Sequence, residues 1–100
     1  MRPRDYRHAA RLYAQVAPIF GRLATTLARI PANKDAARKL AAMVSQIRAE
    51  QRAEMAASRA ASRKDYPRLK AAEFARQRAD GYWNTAAAAF GFHICGYDGP

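Results

Sequence analysis

The sequence predicts an all-α fold: a long antiparallel helical hairpin with a third helix packed across it as a small helical bundle, then a short extended C-terminal tail. Three observations carry that expectation. Apolar side chains recur at alternating gaps of three and four from Tyr6 to Phe90, the period of helices packed on helices. The segments Pro31-Ala32-Asn33 and Asp65-Tyr66-Pro67 divide that pattern into three. From Phe90 onward the period changes to two. The division that follows is a helical bundle over 1–90 and an aromatic tail over 91–100.

In the first helix, Tyr6, Ala9, Tyr13, Val16, Phe20, Leu23, Leu27 and Ile30 form the seam. Leu12 and Ile19 flank it and widen the apolar face beyond what a two-stranded coiled coil needs, which suits a bundle. Arg4, Arg7, Arg11, Arg22 and Arg29 lie off this stripe. Pro18 lacks a backbone donor and crowds the preceding turn. Because it lies opposite the seam, a kinked but continuous helix fits; a break near Ala17 is the alternative.

Asn33 can cap the second helix, with Asp35 in the first turn where the helix dipole favours an anion. That helix should run from about Lys34 to about Lys64. Ala36, Leu40, Met43, Val44 and Ile47 give it an apolar face, which continues as Glu50, Gln51, Glu54, Met55 and Ser58. Two carboxylates on a packing face require cationic partners, and the arginines of the first helix, or those of the second connection and third helix with Arg68, Arg76 and Arg78, are the expected source. Without them, this half would project beyond the core as a solvated arm.

The residue before Pro67 is pushed out of the helical region, which ends the second helix, and Pro67 suits the first turn of a third. There Leu69, Ala72, Ala79, Trp83, Ala86 and Phe90 keep the three-four spacing, with Arg76 in one seam position and Phe74 and Tyr82 to the side. Gly81 leaves a hinge at Asp80-Gly81 open. Phe90, Phe92 and Ile94 then alternate with Gly91, His93 and Cys95 in the manner of a strand. A lone strand has no ladder partner, so its donors must find water, a helix groove, a second copy or another protein's sheet edge.

One hundred residues make one domain at most, and the 50% that are apolar include many alanines, so the core must rest on a few larger side chains. The formal charge is +10, from 18 Lys+Arg against 8 Asp+Glu, and arginine dominates. Guanidinium groups bind phosphate or carboxylate bidentately, although a GC-rich coding genome would enrich alanine and arginine together. Cys95 is the only cysteine, which precludes an internal disulfide and fits a reducing compartment. No apolar run reaches the ~18–20 residues that span a bilayer, so no membrane partner is expected. Arg2, Arg4, Arg7 and Arg11 against Asp5 give the N-terminus the balance of an organelle transit peptide, but a cytoplasmic protein, bacterial or phage-encoded, is the expectation.

Lys34, Arg38, Arg48, Arg52, Arg59 and Arg63 project within an arc of roughly 80°, a cationic ridge on the order of 40 Å long. Such a ridge can follow a phosphate backbone and release counterions. No aromatic residue lies on it for stacking, and no amide is placed among the arginines to read adenine. Binding by charge, without sequence preference, is therefore expected; a solvated face of biased composition is the alternative. Arg68 and Lys70 carry the cations past Pro67, and a helix-turn-helix reading would turn Arg68, Lys70 and Arg76 toward DNA. Against it, the preceding helix is long and the turn lacks the usual glycine.

The second candidate surface is aromatic. Trp83 is expected in the core, while Phe92, Ile94 and Tyr97 form a candidate partner-binding tail. The expected partner is nucleic acid, bound non-specifically, or an acidic protein surface; the seam and the unpaired tail favour a homodimer or a subunit of a complex. His93, Cys95 and Asp98 fall short of a structural metal site even with His8, and Cys95 lacks the orienting group of a nucleophile. No glycine-rich phosphate loop, catalytic carboxylate pair or serine triad can be assembled, so neither catalysis nor a cofactor is expected.

Overall fold

The computed structural model describes residues 1–90, with only the backbone of Ala89 and Phe90. It consists of α1 (Pro3–Ala28), α2 (Lys34–Ser62) and α3 (Tyr66–Phe90). The strand-like reading of 91–100, with the metal and thiol chemistry weighed there, lies outside the described residues.

Local chemistry sets each boundary. Pro3 opens α1 and Asp5 Oδ2 accepts from the Arg2 N–H at 3.3 Å. Pro18 is exposed inside an unbroken helix, so the continuous alternative holds. Asn33 Oδ1 accepts from the Ala36 N–H at 2.9 Å and caps α2 as expected. The α2–α3 turn closes without glycine because Lys64 itself adopts φ 55. The Asp65 N–H then reaches the Ala60 carbonyl at 2.9 Å and the Lys64 N–H reaches Ala61 at 3.0 Å, a Schellman arrangement. Asp65 Oδ1 accepts from the Arg68 N–H at 3.3 Å and so caps α3. That helix passes through Asp80-Gly81 without a hinge.

α2 is the middle helix and is antiparallel to both neighbours. Ser58 Oγ donates to the Ala10 carbonyl at 2.8 Å at one end, while Leu27 joins Leu40 and Val44 at the other. Leu69 packs with Ala60 and Ala61, and Trp83 with Val44 and Ile47, so α3 lies along α2 rather than across it. A helix-turn-helix pair would cross at a wide angle. The lengthwise alignment, with Arg76 turned toward Glu50, removes that reading. α1 and α3 run parallel and meet through side chains: the Tyr13 hydroxyl donates to Glu73 Oε2 at 2.9 Å, and Phe20 stands edge-on to Trp83 at 6.3 Å. The body measures 49 × 27 × 19 Å.

The core has two ends of different material. Leu27, Leu40, Met43, Val44, Ile47 and Trp83 fill one, where each large side chain contributes about 1.5–3 kcal/mol. Tyr6 and Leu69 anchor the other among Ala57, Ala60, Ala61 and Ala72. Gly21 leaves room for the Gln51 side chain of α2: a Cβ added at Gly21 would stand 2.5 Å from Gln51 Nε2.

The expected seam of α1 is buried or half-buried from Tyr6 to Leu27, within this one chain. It is spent on α2 and α3, so it gives no argument for a second copy. Leu12 and Ile19 do not widen the buried face: they are 46% and 52% exposed. α3 meets α1 on the Tyr13 and Phe20 side, and among the described residues nothing covers the helix further round. Met55 is likewise exposed, at the edge of the face on which it was expected to pack.

Candidate nucleic-acid interface

Because α2 is flanked on two sides, its third side faces water along its whole length. Lys34, Arg38, Arg48, Arg52, Arg59 and Arg63 all lie there and all are exposed. Twenty-nine helical residues at 1.5 Å each make this ridge about 44 Å long. Ion pairs among the described residues join Asp35 to Lys39, Asp65 to Arg68 and Glu50 to Arg76; the six ridge cations take part in none of them.

Tertiary packing adds neighbours that helix periodicity could not supply. Arg48 shares an open cleft of about 580 Å³ with Arg22 and Arg29 of α1. Toward the C-terminal end of α2, Arg59 and Arg63 share a cleft of about 400 Å³ with Arg68. The ridge thus broadens at its middle and at its C-terminal end into groups of three arginines. Lys70 is exposed on α3 and lines neither of these clefts. The α1 arginines had a visible signal in sequence, since they lie off the seam, but their proximity to Arg48 depends on how the two helices are rotated.

The inward side of α2 carries the opposite charge. Glu50 and Glu54 are 0% and 1% exposed. Their cation is Arg76 of α3, whose Nη1 lies 3.5 Å from Glu50 Oε2; the expected α1 arginines remain on the surface. The reason is rotational, because α1 turns its buried alanines and tyrosines toward α2 and α3 and its arginines outward. Trp83 Nε1 donates to Glu50 Oε1 at 2.6 Å. Glu50 Oε2, Glu54 Oε1 and Arg76 Nε are buried without a hydrogen-bond partner among the described residues. One arginine is too few for this site.

Burial, with Asp80 beside it, pushes Glu50 up to about 7 against the opposing pull of the Trp83 N–H and Arg76. Burial and the Glu50 charge push Glu54 up to about 7 as well. A proton held in this cluster supplies a donor where donors are short. At the margin of the cluster, burial and then the Glu73 carboxylate raise the Tyr13 hydroxyl above its ordinary value. Since Glu50 and Glu54 are dry, the cluster works between helices and does not present carboxylates to solvent.

No group of three or more His, Cys, Asp or Glu among the described residues could hold a metal, and no described helix is long and apolar enough to cross a membrane. Phe92, Ile94 and Tyr97 lie outside the described residues. No protein-family model, curated protein or solved structure matches the chain.

Proposed function

We propose that the protein associates with the phosphate backbone of nucleic acid through the outer face of α2, without reading sequence. The observation that supports this is the row of six exposed cations along α2 that no carboxylate among the described residues pairs with, broadened by Arg22, Arg29 and Arg68. Guanidinium groups on a stiff helix match phosphate oxygens and displace condensed counterions. Absence of aromatics on the ridge fits duplex or backbone binding better than stacking on single-stranded bases. Lys70 contributes long-range attraction from α3.

The test is fluorescence anisotropy with a random-sequence duplex over a salt series. Four to six phosphate contacts give a slope of log K on log salt of about −4 to −5. Replacing Arg48, Arg52, Arg59 and Arg63 by glutamate should abolish binding while the helical circular dichroism stays unchanged. Undiminished binding by that variant would refute the reading.

A second reading has its own support. Phe74 and Tyr82 are 63% and 59% exposed on α3, and the Arg78 guanidinium lies 5.7 Å from the Phe74 ring. Exposed aromatics beside arginine are the material of protein interfaces. On this reading the same cations dock an acidic protein, in a homo-oligomer or a larger complex. Capture from a cell extract with and without nuclease separates the two: loss of bound material after nuclease favours the first, and a retained protein partner favours the second.

A further inference from the structure

The solvent side of α3 carries a pattern that the α2 ridge lacks. Tyr66, Lys70, Phe74, Arg78 and Tyr82 follow one another at steps of four, so aromatic and cation alternate along one inclined row of the helix. All five are exposed, the three aromatics at 47%, 63% and 59%. Each step rises about 6 Å, which makes the row about 24 Å long. The Arg78 guanidinium lies 5.7 Å from the centre of the Phe74 ring, a contact that steadies an exposed aromatic without burying it.

Charge on this side has one sign. Glu73 and Asp80 are the acids of α3 and both are half-buried: Glu73 Oε2 accepts from the Tyr13 hydroxyl, and Asp80 lies beside Glu50. Lys70 and Arg78 take part in no ion pair among the described residues. Among the described side chains, every large apolar group exposed on α3 is aromatic, while Leu69 and Trp83 turn inward. The surface thus offers π faces separated by cations, with no large aliphatic side chain between them. The core of a protein interface is poor in charge, and lysine is depleted there. A single nucleic-acid strand matches the alternation better, because every nucleotide brings a base face and a phosphate charge.

We propose that the exposed face of α3 binds single-stranded nucleic acid, with bases stacked on Tyr66, Phe74 and Tyr82 and phosphates held by Lys70 and Arg78. Stacking of this kind accepts any base, so no sequence is read. The surface adds unpaired strands to the duplex binding proposed for α2. It does not rest on that reading, because none of its residues belongs to α2.

The test is fluorescence anisotropy of a short labelled oligothymidylate on the full chain, with the random-sequence duplex measured in parallel. Phe74→Ala and Tyr82→Ala should each weaken oligothymidylate binding roughly 5- to 150-fold and leave duplex binding unchanged. Both positions are exposed, so helical circular dichroism should stay the same. Phe74→Tyr keeps the π face and should bind as the native chain does. Phe74→Leu keeps apolar bulk without that face and should bind as weakly as Phe74→Ala. Native-like affinity in Phe74→Leu, or no oligothymidylate binding by the native chain, would overturn the proposal. Poly-glutamate offers charge without stacking and should compete weakly; competition equal to that of oligothymidylate at equal charge would also overturn it, since an acidic protein would then serve as well. Oligothymidylate binding that depends on Phe74 in the absence of duplex binding would support this surface and sink the α2 reading alone.

Discussion

Within roughly two turns of α2, Arg48 and Arg52 stand in water while Glu50 and Glu54 are dry. The outer side holds many like charges that pair with no carboxylate among the described residues, and solvent screens them. The inner side holds two like charges and a single arginine, and there burial decides: both carboxyls are pushed up to about 7. One helix thus separates charge by sign. Its outward surface presents cations to solution, and its inward surface buries carboxyls.

The comparison breaks most sharply at Arg76. Arg76→Ala should destabilise the bundle on the order of 3 kcal/mol at pH 8 by leaving the carboxyl cluster without a cation, measured by urea unfolding. The loss should shrink at pH 5, where the cluster is protonated.

The native chain should show the next largest effect. A carboxyl whose folded pKa exceeds its unfolded one contributes stability that is full below about 4.5 and is lost as pH rises through about 7. Each titrating carboxyl contributes a slope of about 1.4 kcal/mol per pH unit in that window. The urea midpoint should therefore fall between pH 5 and pH 7.5 and level off above. The groups facing the pair are Arg76, Asp80 and Trp83. Glu54→Gln should flatten the profile; an unchanged profile would mean that these carboxyls ionise freely.

Trp83→Phe keeps most of the ring but removes the N–H that Glu50 accepts, a cost of about 1–3 kcal/mol. At the exposed interior of α3, nothing lies within 4 Å of a Cβ built on Gly81, so Gly81→Ala should stabilise by about 0.5–1 kcal/mol. The outer side of α2 should give the smallest change. Each of Arg48, Arg52 and Arg59 changed to alanine should alter stability by less than about 0.5 kcal/mol in thermal unfolding, whatever it does to binding.

The helices were legible because their signals are local. Asn33, Pro67 and the three-four spacing act through neighbouring backbone groups, and three helices form where that spacing runs; Tyr66, expected outside the helix because it precedes Pro67, instead opens α3 behind the Asp65 cap. Lys64 shows the limit of that reading: a turn without glycine closes because a lysine accepts positive φ when three hydrogen bonds hold the chain there. The ridge was legible for the same reason as the helices, since six residues of one helix share a side by periodicity alone. Its union with Arg22, Arg29 and Arg68 was not, because it depends on the rotation of one helix against another.

Sequence by itself determined that the chain is helical, that its helices divide near Pro31–Asn33 and Asp65–Pro67, that α2 has a cationic side, and that Glu50 and Glu54 continue its apolar side. Each of these follows from hydrogen bonds and spacings a few residues long. Only the tertiary structure decided that Arg76 and Trp83 answer the glutamates, that the seam of α1 is consumed within the chain, and that Leu12 and Ile19 remain outside. Those outcomes rest on which helix lies on which side of α2, a choice made by the packing of all three helices together.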